Sequence, residues 1–138
     1  PRTYIHWVHS ILKIKDFNLQ QCLFGLHLVD DKPVAIVESE KTAIIASVYL
    51  PEFTWLATGG LHNLSEKMLK PIISNKIIIF PDAGCYEKWL DKASKFNSKF
   101  SITFSDLLYK NISEEEKEKG YDIADYLINL NIDYKKYI

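Results

Sequence analysis

Three short aliphatic runs constrain this chain more than any other feature. Val34-Ala35-Ile36-Val37, Thr54-Trp55-Leu56-Ala57 and Ile77-Ile78-Ile79-Phe80 are apolar at almost every consecutive position, so both faces of an extended segment must be covered. A loop and then a helical pattern follow each one. The spacing predicts strands over 33–37, 53–57, 76–80 and 99–104. Helices are expected over 40–50 (ended by Pro51), over 65–73 with Ser65 as hydroxyl cap, and over 86–96 and 121–130. The run over 21–29, which contains Cys-Leu-Phe-Gly-Leu-His-Leu-Val, favours a further strand, with Asp30-Asp31-Lys32-Pro33 as a turn. Alternating strands and helices of this kind build an α/β fold of the Rossmann-like type. The expected centre is a mostly parallel sheet of four to five strands with helices on both faces. Residues 1–21 read as an N-terminal helix or arm, with helical spacing at Ile5, Val8, Ile11 and Leu12, and as the end of a preceding domain. Residues 22–138 read as the α/β domain itself.

Composition narrows the class. A chain of 138 residues with 47% apolar and 25% charged residues is large enough to bury a core unaided. Its net charge of −1 means that nucleic acid would be met by a local patch or through metal ions. The two cysteines, Cys22 and Cys85, are far apart, which fits a reducing compartment and disfavours a structural zinc site. No apolar run reaches the ~20 residues of a membrane span and no signal peptide opens the chain, so the expectation is a cytoplasmic domain without membrane contact. Pro1 opens the chain without Met, as expected of a piece of a longer protein carrying other domains.

Acids stand where strands end. Glu38 follows the first aliphatic run and Asp82 follows the third. Parallel strands put their carboxyl ends on one edge of a sheet, where ligands of α/β proteins bind. Two carboxylates there suit Mg²⁺ or Mn²⁺, which take hard oxygen ligands. Asp122 and Asp125, three apart, share a helix face and are further candidates. The plainer reading stays open beside this one: helix dipoles favour acids in a first turn, and Asp82 is also a good turn residue. Glu40 fits the dipole reading best. Gly59 and Gly60 let a backbone come close to phosphate, but they form neither a dinucleotide nor a Walker loop. His62 on the same loop either touches substrate or simply faces water. His6 and His9 have no third ligand nearby and suit an amphipathic helix. Trp55, Phe80 and Trp89 read as core, and Cys85 as an inert, half-buried thiol.

Taken in order, Val37-Glu38-Ser39-Glu40-Lys41-Thr42-Ala43, the Gly59-Gly60 loop, Ile77-Ile78-Ile79-Phe80-Pro81-Asp82-Ala83-Gly84 and Gly120-Tyr121-Asp122-Ile123-Ala124-Asp125-Tyr126-Leu127 resemble a Toprim domain. That fold is shared by bacterial-type primases, topoisomerases and some nucleases. The likeness is to the primase-like type of phage and mobilisable-transposon proteins, over roughly residues 22–130. The resemblance implies that Glu38 is the catalytic acid/base or a metal ligand. It implies that Asp82, with Asp122 and Asp125, holds Mg²⁺ or Mn²⁺. Lys41, Gly59, Gly60 and His62 are then the candidate substrate contacts, with DNA or RNA as partner and nucleotides as candidate ligands. The chain departs from the family where a second acid is expected, because Asp-x-Asp has become Asp82-Ala83-Gly84. Two functions follow as expectations. One is metal-dependent nucleotidyl transfer or phosphodiester chemistry in a primase-related or mobile-element DNA-processing protein. The other is a catalytically degenerate Toprim fold that binds nucleic acid or docks a protein. A receiver-like regulator fits less well, since receivers cluster aspartates at this edge.

Overall fold

In the computed structural model, residues 6–95 and 97–130 are described. Four strands form one sheet: β1 (Val34–Val37), β2 (Thr54–Ala57), β3 (Ile77–Ile79) and β4 (Ile102–Phe104), in the order β2-β1-β3-β4. All neighbours run parallel, with Val37 opposite Ala57 and Ile36 opposite Ile79. The chain is therefore an α/β, Rossmann-like fold with four strands in its sheet. β1 and β2 are fully buried, as their unbroken apolar runs require of strands covered on both faces.

Helices cover both faces. One face carries α2 (Glu40–Tyr49), α5 (Leu107–Asn111) and α7 (Ile123–Asn129), which pack Ala43, Ala46, Leu108, Ile123 and Leu127 on Val37, Trp55 and Phe80. The small residues of α2 let it lie close to the sheet and leave Ile44 and Val48 outside. The other face carries α3 (Glu66–Leu69), a 3₁₀ turn over Lys70–Ile72, and α4 (Tyr86–Ser94). Leu69, Ile72 and the fully buried Trp89 fill the space over Ile36, Leu56 and Ile79. Two further short helices among the described residues are α1 (Val8–Ile11) and α6 (Glu114–Glu118). No helix among the described residues is long and apolar enough to cross a membrane.

Several expectations are corrected. The run over 21–29 is not a strand. Phe24 makes one antiparallel bridge to Ala57, and Leu26–Leu28 then turns as a 3₁₀ helix. Gly25 forces this, since at φ 79° the chain leaves the extended region and passes against the Trp55 carbonyl. Ser65 sits at the N-cap of α3 without a side-chain capping bond, and the helix gives way to the 3₁₀ turn at Pro71. α4 stops at Ser94; Phe96, its expected end, lies outside the described residues. The last strand begins only at Ile102, because a 3₁₀ turn takes up Asn97–Lys99. The expected helix over 121–130 shortens to α7, since Asp122 caps it from outside. α5 was not foreseen at all. At the N-terminus, Tyr4 and Ile5 lie outside the described residues. α1 is a single turn whose Val8 and Ile11 face solvent instead of packing on the sheet.

Candidate functional site at the switch point of the sheet

β1 leads to β2 on one side, and the chain then returns past β1 to β3 on the other. Neighbouring connections thus diverge between β1 and β3, and the carboxyl ends of strands at such a point are where ligands of open α/β sheets bind. Glu38 is the first residue beyond β1, and Asp82 lies three residues beyond β3. The sheet therefore brings to one edge two half-buried acids 44 positions apart in the chain.

Their electrostatics show that they share an environment. Burial first, and then the neighbouring charges of Glu38, Asp122 and Asp125, together push the Asp82 carboxyl from 3.8 up to about 7, against the opposing pull of Lys41. Asp122 behaves in the opposite way. Burial alone disfavours its charge, but the Thr42 hydroxyl, the Asp125 N–H and Lys41 together hold its carboxyl below the usual value.

The reason is visible in its contacts. Thr42 Oγ1 donates to Asp122 Oδ2 at 2.6 Å, and Lys41 Nζ lies 3.4 Å from the same oxygen. Oδ1 accepts from the Asp125 N–H at 3.0 Å, while Asp125 Oδ2 accepts from the Asp122 N–H at 3.1 Å. The two aspartates are thus a reciprocal capping box at the start of α7. The expectation that they share a helix face is corrected: Asp122 is the N-cap, outside the helix. Both of its oxygens are occupied by protein donors. Lys41 is mostly exposed along its side chain and reaches inward to Asp122.

The remaining candidates lie on the loop after β2. Gly59 and Gly60 adopt φ of 68° and 140°, values that need glycine. The Gly59 N–H donates to the Glu38 carbonyl at 2.9 Å, which ties this loop to the end of β1. A Cβ on Gly59 would lie 3.0 Å from Glu40 Oε1, so the Glu40 side chain leans over the glycine from the first turn of α2. His62 is exposed, and its carbonyl accepts from Lys92 Nζ at 2.8 Å. Thr58, in register beside Glu38, buries a hydroxyl with no hydrogen-bond partner among the described residues.

Sequence reasoning missed Thr42. A threonine in the third position of a helix gives no signal of a partner 80 residues away. It also could not see that position 84 adopts φ 74°, which suits glycine and rarely a side chain. Glu87 lines a cleft together with Asp82, so the first turn of α4 supplies a second carboxylate on that side. Burial pushes the Cys85 thiol up, with help from Asp82 and Glu38 against Lys88, so it stays protonated and inert at neutral pH.

Residues 1–83 match the model of a family described as a domain of unknown function (DUF6371), which is more than half of the chain. The chain belongs to the DUF6371 family. The matched part of this DUF6371 member contains β1 to β3 with Glu38, Lys41, Gly59, Gly60, His62 and Asp82, and ends before Asp122 and Asp125. No curated protein and no solved structure matches the chain.

Proposed function

We propose that this DUF6371 member is a Toprim-like domain that works on nucleic-acid phosphates with a divalent metal ion, in a cytoplasmic, primase-related or mobile-element protein. One observation carries the reading. Glu38 and Asp82 follow the two strands that flank the switch point, near enough for the Glu38 charge to raise the Asp82 carboxyl.

The donor set fits Mg²⁺ or Mn²⁺ in a limited way. Among the described residues, no group of three His, Cys, Asp or Glu side chains is arranged to hold a metal. Magnesium, however, is ordinarily held by one or two carboxylates, with water and substrate phosphate completing its shell. Glu38 and Asp82 would be that pair. Asp122 and Asp125 would act behind them, since their oxygens already serve Thr42, Lys41 and the α7 cap. When bound, the ion would neutralise phosphate charge and activate an oxygen nucleophile. Glu38 would then be the group that accepts or returns a proton at the reacting oxygen. Lys41 and the Gly59-Gly60 loop would orient the phosphate.

A second reading is favoured by Gly84 and by the Lys41–Asp122 ion pair, which already supplies a cation to one acid. In it the fold has lost catalysis and serves as a nucleic-acid-binding or docking module. Calorimetric titration of Mg²⁺ and Mn²⁺ into the wild type, Glu38→Gln and Asp82→Asn separates the two. Binding that disappears in both variants supports metal chemistry. Folded proteins that take up no metal at millimolar concentration leave the docking module.

A further inference from the structure

A cleft of about 180 Å³ opens beside Asp82, and apart from Asp82 the chemistry proposed above makes no use of its lining. It is lined by the Asp82–Gly84 loop, by Tyr86 and Glu87 from the first turn of α4, by Ser105 after β4, by Leu108 and Tyr109 of α5, and by Lys117 of α6.

Its surfaces are of two kinds. The Tyr86 ring centroid lies 5.1 Å from that of Tyr109, so the two lining tyrosines form one aromatic surface. Leu108 is buried beneath. Lys117 Nζ lies 5.9 Å from the Tyr109 ring centroid and pairs with Glu114, which fixes a donor at the rim. Asp82 and Glu87 supply acceptors, and Ser105 supplies a hydroxyl.

The volume is below the ~300 Å³ at which sites for drug-sized ligands begin, so it suits a single flat ring system. Tyrosine rings stack on any such system. The carboxylates and the lysine distinguish between candidates: a phenylalanine ring has nothing to offer them, and a tyrosine or tryptophan offers a single polar group. A nucleobase with an exocyclic amino group offers N–H donors to the carboxylates and ring nitrogens to the lysine.

We propose that this cleft is a nucleobase subsite, taking one amino-bearing base of a nucleotide or a nucleic-acid strand, with its phosphate directed to the Glu38–Asp82 edge. The phosphate half rests on the proposed function, but the base half does not, because a nucleoside carries neither phosphate nor metal.

The test is an NMR titration of the full chain in EDTA with adenosine, cytidine and uridine, repeated on Tyr109→Ala and Lys117→Met. Tyr109 is 56% exposed, so its truncation leaves the core intact. The expected result is saturable shifts at Gly84, Tyr86 and Tyr109, with adenosine and cytidine binding more tightly than uridine. Tyr109→Ala should weaken binding by about tenfold, the lower part of what one stacked base contributes. No saturable binding of any of the three at millimolar concentration overturns the subsite. So does binding that both variants leave unchanged, or uridine bound as tightly as adenosine. Nucleoside binding in a protein that takes up no Mg²⁺ would sustain the subsite while refuting the metal reading.

Discussion

Removing the charge of Asp82 should stabilise this protein, and only above a defined pH. Its carboxyl is pushed from 3.8 to about 7, first by burial and then by Glu38 and Asp122. The folded chain therefore holds the proton more tightly than the unfolded chain does. As pH rises from about 4, the unfolded state ionises Asp82 first, so stability falls through the window up to about pH 7 and is level above it. At about 1.36 kcal/mol for each tenfold change in proton affinity, the ceiling is about 4 kcal/mol. The carboxyl is partly open to water, which screens the repulsion, so about 2 kcal/mol is the working figure. Asp82→Asn keeps the shape and cannot ionise. We predict that urea unfolding in EDTA finds the variant about 2 kcal/mol more stable than wild type at pH 8, and equal to it near pH 4. A variant less stable than wild type at pH 8 would refute the reasoning, as would a gap that does not change with pH. Millimolar Mg²⁺ should narrow the gap at pH 8 by stabilising the wild type alone, if the ion binds the acid pair.

Two further substitutions probe how the edge is held. Thr42→Val removes the 2.6 Å bond to buried Asp122 and should cost about 1.5–3 kcal/mol in chemical denaturation, whereas Thr42→Ser should retain most of that stability. Equal losses in the two variants would mean that the methyl group matters and the hydroxyl does not. Gly25→Ala puts a Cβ 2.9 Å from the Trp55 carbonyl at a φ of 79°, and thermal or urea unfolding should show a loss of about 1–3 kcal/mol. A neutral outcome would show that the turn before β1 relaxes freely.

The sequence by itself determined the sheet. Val34–Val37, Thr54–Ala57 and Ile77–Ile79 are apolar on both faces, and only a central, doubly covered strand satisfies such a run. It also put acids at strand ends, because Glu38 and Asp82 are local to those runs. What it could not supply depends on pairing order and on backbone conformation. β3 lies beside β1 and β2 does not lie between them, and that order alone sets Glu38 and Asp82 beyond the ends of neighbouring strands. Thr42 and Lys41 find Asp122 across 80 positions of chain because α2 packs on α7, a contact with no periodic trace. The apparent strand over 21–29 failed for a related reason. Its apolar pattern suits a strand, but a single left-handed glycine set against β2 turned it into a bridge and a 3₁₀ turn. Hydrophobic pattern fixes which segments are buried, while steric fit and strand order decide which side chains meet.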